Sequence, residues 1–213
     1  MMKLYYAPGA CSLATRISLH EAGLPATFER VDLRAKLTQH GENYLAINPA
    51  GSVPLLVLDD GEKVTENVAI LSLLAERVPQ LAPEGPMART RLVEMLSFLS
   101  TELHIAFKPF FHDADEGDRI KAAEAVERRL DLISDELKGP YLFGANFTVA
   151  DAYLFIMLRW ARGFDIAIPS KLAELYDQVV AHESVRRALQ EEELISPSEM
   201  NAAAATSAPA VTA

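Results

Sequence analysis

The chain has 213 residues, half of them apolar and 23% charged, with a formal net charge of −10, which suits one or two domains around a sizeable core. The acidic balance argues against nucleic acid and anionic membrane surfaces as partners, because both require basic patches. The single cysteine, Cys11, excludes an internal disulfide and a cysteine-rich metal site.

Lys3 to Ala7 reads as a short strand. The Pro8-Gly9 turn leads into a helix from Cys11 to Ala22, with Ala10, Leu13, Ala14 and Ile17 at helical spacing. Gly23 and Pro25 stop it. Thr27 to Leu33 reads as a second strand, and Lys36 to Ala46 as a short helix or irregular segment. Asn48-Pro49-Ala50-Gly51 is a turn before a compact strand, Pro54 to Leu58. Asp59-Asp60-Gly61 signals a hairpin returning through Lys63 to Thr65. Glu66 to Val78 is a helix with Val68, Leu71, Ala75 and Val78 toward the core. The order β-α-β-α-β-β-α predicts a mixed sheet with helices packed on it.

Pro79 to Pro86 carries three prolines and a glycine and reads as a linker. Beyond it no strand is predicted. A long helix runs from Met87 to about Phe107, with Leu92, Met95, Leu96, Leu99, Leu103 and Phe107 on one side, and Lys108-Pro109 ends or bends it. A second covers Asp118 to Leu137, with Ile120, Ala123, Val126, Leu130, Ile133 and Leu137 on one face. Thr148 and Asp151 form a capping-box signature for a helix to about Ala161 that is apolar nearly all round and is expected at the centre. Lys171–Ala181 and Val185–Leu189 are shorter helices. The division is residues 1–80, a linker 81–87, a helical part 88–196, and an Ala-rich tail 197–213 expected to be disordered. The short apolar stretch after Lys3 is no signal peptide, and Val68 to Ala75 is too short to span a bilayer. A cytoplasmic protein is expected.

Cys11 falls at a helix start, where unpaired N–H groups and the positive dipole end favour a thiolate, its own or a ligand's. A lone cysteine is equally a small buried hydrophobe. Ser12 at the same place is an ordinary cap. Val53 sits in an exposed-looking turn before Pro54, a bond that can be cis. Glu66-Asn67 opens a helix; there an acidic residue can simply satisfy the dipole, or bind an amino-acid head group together with free N–H groups. His104, beside Glu102, is a bystander or a proton partner to Cys11. Lys36 is a surface charge or a contact for a carboxylate. His20, His40, His104, His112 and His182 show no metal-ligand spacing, and neither a serine elbow nor a phosphate loop is present.

The motifs Lys3-Leu4-Tyr5-Tyr6-Ala7-Pro8-Gly9-Ala10-Cys11-Ser12-Leu13, Asn48-Pro49-Ala50-Gly51-Ser52-Val53-Pro54, Leu58-Asp59-Asp60-Gly61, Thr65-Glu66-Asn67-Val68-Ala69-Ile70 and Phe147-Thr148-Val149-Ala150-Asp151-Ala152-Tyr153-Leu154-Phe155 together resemble the glutathione S-transferases, and specifically the bacterial beta class. The resemblance covers nearly everything from Met2 to about Ser196. It implies a thioredoxin-like domain followed by an all-helical domain, a homodimer, and glutathione as co-substrate without a metal. It implies glutathione contacts at Ala10, Lys36, Val53, a cis Pro54, Glu66, Asn67 and Ser97, with Glu102 supplied by the partner subunit. Cys11 and His104 would meet the glutathione sulfur, and Phe107 and Phe111 would wall the electrophile pocket. Three positions depart from the pattern: Asn67 where relatives carry Gly or Ser, Ser97 where Asn is common, and Ile105 where Lys is frequent.

The resemblance implies a transferase that activates the glutathione thiol for attack on apolar electrophiles. A variant uses Cys11 in a mixed disulfide with thiol-transferase or peroxidase chemistry; a two-cysteine version is excluded by Ala14. The alternative is a non-catalytic binder of glutathione or apolar ligands on the same fold.

Overall fold

A computed structural model describes residues 1–195; the expected disordered tail lies outside the described residues. The sheet has five strands in the order β3-β2-β1-β4-β5: β1 Met2–Tyr6, β2 Ala26–Asp32, β3 Leu37–Thr38, β4 Leu55–Val57 and β5 Lys63–Thr65. β1 runs parallel to β2 with Leu4 opposite Phe28, and antiparallel to β4 with Leu4 opposite Leu56. β1 is central, so its alternate side chains are buried on both faces. Met2, Leu4 and Tyr6 face helices α1 (Ser12–Glu21) and α3 (Asn67–Arg77), while Tyr5 packs with Val31, Tyr44, Val53 and Leu55 on the other face. Tyr44 belongs to the one-turn helix α2, Tyr44–Ile47.

Of the short helix or irregular segment expected over Lys36 to Ala46, α2 supplies the helix, and the two-residue strand β3 at the segment's start is the correction. Asp32 Oδ1 accepts from the N–H of Arg34 and of Ala35 at 2.8 and 2.9 Å, and Lys36 takes φ +57°, turning the chain back along β2. The α1 stop is as the sequence predicts. Gly23 has φ +62°, its N–H reaches His20 O, and Leu24 N–H reaches Leu19 O. In α3 the buried face is Asn67, Ile70, Leu71, Leu74 and Ala75, turned from the expected one because Val68 lies only half-buried at its edge.

The second half is helical. Pro79–Leu81 is a single 3₁₀ turn, followed by α4 Ala88–Phe98, a π-helical turn Leu99–His104, and α5 Lys108–Phe111. The expected single helix to Phe107 therefore widens at residues 99–104, which still keeps Leu99, Leu103 and Phe107 buried. α6 Glu116–Glu136 buries Val126, Leu130 and Ile133, while Ile120 is exposed, contrary to expectation: it lies in the first turns, beyond the packed part of the face. α7 Val149–Gly163 is buried almost throughout and carries the predicted capping box, with Asp151 Oδ2 accepting from Thr148 N–H at 2.8 Å and from the Thr148 hydroxyl at 2.7 Å. α8 Ser170–Ala181 and α9 Glu183–Glu191 complete the described chain. α1 is sandwiched between the sheet and α7 and α9, so one apolar core runs through both halves.

Candidate active site

The loop Pro8-Gly9-Ala10-Cys11 leaves the centre of the sheet and enters α1, with Gly9 at φ +69°. Ser12 does not cap α1. Its buried hydroxyl lies 3.2 Å from Ala7 N and 3.3 Å from Ala7 O, tying the strand end to the helix start. Cys11 is the N-cap residue, and its thiol donates to Val53 O at 3.5 Å. Burial pushes this thiol up to about 12, helped by the Glu66 carboxylate, against the N–H groups of Cys11 and Ser12 that pull it down. Of the two sulfurs that the helix start could favour as a thiolate, Cys11's own is opposed by its burial, because desolvation outweighs the dipole there.

Across from Cys11 the Val53–Pro54 bond is cis. Val53 is buried rather than exposed, because it faces Tyr5 and Tyr44 under the sheet. The turn before it is held from three sides. Tyr44 Oη and Asn48 Nδ2 donate to Ser52 O at 2.8 and 2.9 Å, and Lys36 Nζ donates to Gly51 O at 2.8 Å. Lys36 therefore stands beside the Val53 edge, with its ammonium turned onto the chain itself.

Glu66 is exposed at the start of α3 with φ +68°, a strained conformation for a residue with a side chain, and makes no cap hydrogen bond. Asn67 is buried. Its Nδ2 donates to Cys11 O at 2.8 Å and its Oδ1 accepts from Thr15 Oγ1 at 3.0 Å. The side chain thus bolts the amino end of α3 to that of α1, and leaves the backbone N–H groups there to meet a ligand.

From the helical half, His104 Nδ1 lies 3.0 Å from the Tyr153 hydroxyl, and its ring packs 4.9 Å from Trp160. Burial lowers the His104 pKa, favouring the neutral imidazole. Tyr153 is pushed upward, first by burial and then by the neighbouring Cys11, while Ser100 and Asn67 act in the opposite sense. Tyr153 therefore stands between His104 and the Cys11–Asn67 pair, and no hydrogen bond among the described residues joins His104 to Cys11 directly. Sequence reasoning gave Tyr153 no role. The available signal was a phenol on a helix with no exposed side, where a hydroxyl must find a partner.

Phe107 does not wall a pocket: it is fully buried behind Trp160 at a ring distance of 5.5 Å. Phe111 is half-exposed and stands edge-on to Trp160 at 5.0 Å. With Gly9, Arg159, Trp160 and Phe164 it borders an open hollow of about 500 Å³ beside the Cys11 loop. Ser97 is half-buried on α4, and its carbonyl accepts from Thr101 Oγ1 at 3.0 Å. Glu102 points toward α6, paired with Arg129 at 2.9 Å, next to exposed Ile105; it is not among the groups around Cys11 of its own chain. Among the described residues no cluster of metal-ligating side chains exists, and no helix is long and apolar enough to cross a membrane.

Comparison with known proteins agrees with this geometry. The family described as glutathione S-transferase, N-terminal domain, matches residues 9–77, and glutathione S-transferase, C-terminal domain, matches residues 98–182. The glutathione S-transferase GstA of Escherichia coli O157:H7 is 45% identical over 165 residues, covering 75% of this chain and 82% of that one. A sphingomonad glutathione S-transferase solved in complex with glutathione superposes with a TM-score of 0.84 at 41% identity, over 91% of this chain and 100% of its own. The bacterial beta class enzyme of Sphingomonas chungbukensis gives 0.83 at 39% identity, again over 91% and 100%. A strand-to-helix cysteine loop, a cis-proline edge and a helical second half thus coincide with family matches over both halves, and the chain belongs to the glutathione S-transferase family.

Proposed function

We propose that this chain binds glutathione along residues 1–80 and lowers the pKa of its thiol, so that the thiolate attacks an apolar electrophile held against the helical part. One observation carries the reading. The amino ends of α1 and α3 converge through the Asn67–Cys11 bond, 2.8 Å long, beside the Val53–Pro54 edge. Two helix ends pointing at one place stabilise anionic groups there. The γ-glutamyl end of glutathione would meet Glu66 and the Asn67 N–H, the cysteinyl part the Val53 backbone and Ala10, and the glycine carboxylate Lys36 once its ammonium swings off Gly51 O. Ser97 lies on the α4 side of the same region.

Cys11, held as a thiol, serves as a hydrogen-bond donor: in place of Val53 O it would take the glutathione sulfur as acceptor. His104, neutral and oriented by Tyr153, is the proton partner. Each unit by which the bound thiol's pKa falls corresponds to about 1.4 kcal/mol of preferential thiolate stabilisation. The electrophile fits the hollow bordered by Phe111 and Trp160, with Phe107 backing the Trp160 ring. Disulfide exchange centred on Cys11 is the weaker version, because burial disfavours the thiolate that attack requires.

The chain is further proposed to act as a homodimer in the reducing cytoplasm, with Glu102 of one subunit released from Arg129 to reach glutathione on the other. Steady-state conjugation of glutathione to chlorodinitrobenzene, together with calorimetric titration of glutathione, tests the reading. Saturable turnover with both substrates supports it; affinity for glutathione with no turnover of any electrophile would favour a binding protein, and no affinity would end it.

A further inference from the structure

The peptide of Gly9 is gripped at both of its polar groups by the helical half of the chain. Its N–H donates to Glu192 Oε2 at 2.9 Å, across 183 residues of sequence, and its carbonyl accepts from Trp160 Nε1 at 2.9 Å. Leu194, two residues beyond Glu192, lies 3.5 Å from where a Gly9 side chain would begin. Arg159 holds that last turn down by donating to Leu194 O at 3.0 Å. Gly9 is two residues from Cys11, in the loop that sets where α1 begins. We propose that Glu192 is a positioning residue for the reaction: from the turn after α9 it fixes the Gly9 peptide, and through it the Cys11 loop and the amino end of α1 that receive the glutathione sulfur. This rests on the transferase reading above.

Stability alone is a poor reason for this arrangement. The Glu192 side chain is fully buried, and its charge partner Arg16, 2% exposed, faces it at 3.3 Å. Yet Glu192 Oε1 and Arg16 Nε make no hydrogen bond among the described residues. A buried ion pair that is not saturated by hydrogen bonds is often no better for stability than apolar side chains of similar volume. What apolar side chains would not supply is an acceptor aimed at Gly9.

The carboxylate is also placed to titrate. Burial pushes it up to about 7, with Glu191 adding to the effect, while the Gly9 N–H, Arg16 and Arg159 pull it down. The charged groups facing it are Arg16 from α1, Arg159 from α7 and Glu191 from α9; Glu191 is in turn paired with Arg16, His20 and Arg187. Above neutrality the ionised carboxylate grips Gly9 and balances Arg16. Below it, protonation weakens both contacts.

The test compares the full-length wild type with Glu192→Gln and Glu192→Leu. Glu192→Gln keeps an acceptor for Gly9 but cannot ionise; Glu192→Leu removes both. kcat/KM for glutathione is followed against pH, and alkylation of Cys11 by iodoacetamide is measured on the same preparations. The wild type should show two ionisations on the acid limb and Glu192→Gln one. Glu192→Leu should lose about tenfold in kcat/KM and alkylate several-fold faster. Should Glu192→Leu fail to fold, Trp160→Phe, which removes the other half of the grip, should alkylate several-fold faster in the same way; alkylation is its readout because Trp160 also borders the electrophile hollow. Acid limbs that coincide for wild type and Glu192→Gln, with unchanged kcat/KM and alkylation in Glu192→Leu or unchanged alkylation in Trp160→Phe, overturn the proposal. A wild type that turns over no electrophile refutes the transferase reading instead, and the alkylation rates still decide whether Glu192 holds the loop.

Discussion

His104 Nδ1 and the Tyr153 hydroxyl stand 3.0 Å apart, joining the turn after α4 to the buried helix α7. The bond fixes which way the imidazole faces. With Nδ1 occupied by the phenol, Nε2 is the nitrogen left for a ligand.

Tyr153→Phe tests this most cleanly, since it removes one oxygen from a fully packed ring. kcat should fall about tenfold, toward the lower end of what a positioned proton-transfer group contributes, with KM for glutathione little changed. Rescue of the pH profile by neither buffer nor salt should accompany the fall. An unchanged kcat would remove Tyr153, and with it the oriented His104, from the mechanism.

Asn67 should be worth both stability and affinity. Asn67→Ala leaves Cys11 O and the Thr15 hydroxyl without the partners they have at 2.8 and 3.0 Å. Such a loss costs about 1–3 kcal/mol, measurable by urea unfolding. Because it also frees the two helix ends from each other, KM for glutathione should rise. Lower stability with an unaltered KM would show that the junction is structural only.

Cys11 is expected to be unreactive in the free protein. Its thiol is pushed up to about 12 by burial, so alkylation at neutral pH should be slower than that of a small thiol, and should climb through the alkaline range without levelling below about pH 10. Cys11→Ala should keep conjugation at a reduced rate, having lost the donor to the glutathione sulfur, and should lose any mixed disulfide with glutathione. Abolished conjugation would assign Cys11 a larger part than donor.

Asp151 offers a pH test in the fold itself. Burial raises its carboxyl from 3.8 to about 6, in spite of the hydrogen bonds it receives from Leu142 and Thr148. A raised acid binds its proton more tightly in the folded state, so its contribution falls as pH rises from about 4 to about 6. The stability difference between wild type and Asp151→Asn should shrink over that window. The variant should still be the less stable protein by about 1–3 kcal/mol, because both carboxylate oxygens accept and an amide can serve only one side. A difference that grows with pH would contradict the assignment.

The local features were legible because local chemistry decides them. Gly23 and Pro25 end α1, Asp59-Asp60-Gly61 turns the hairpin, and Thr148 with Asp151 caps α7; each is a few residues reporting on themselves. The strand β3 was not legible, since a two-residue strand has no periodicity and depends on Asp32 reversing the chain. The π-helical turn keeps its apolar residues buried and leaves no mark in the pattern. At the site, Cys11, Glu66 and His104 stood out by residue type and by family resemblance. The state of Cys11 did not, because it is set by desolvation, which sequence spacing does not report. Glu192 was invisible for a related reason: its partner Gly9 lies at the far end of the chain, and a Glu following the charged end of α9 reads as solvated. Phe107 and Phe111 look equivalent in sequence; both rings pack on Trp160, and only their burial, complete for Phe107 and half for Phe111, separates backing from wall.

Glutathione bound here should give up its proton more readily than it does in water. The ultraviolet band of its thiolate, followed against pH on the complex, measures this directly, with Cys11→Ala used as well so that the signal belongs to the ligand. A midpoint at least about one unit below the ordinary thiol value of roughly 8.5 is the predicted result. A midpoint equal to that of free glutathione, on a protein that demonstrably holds it, would contradict the account.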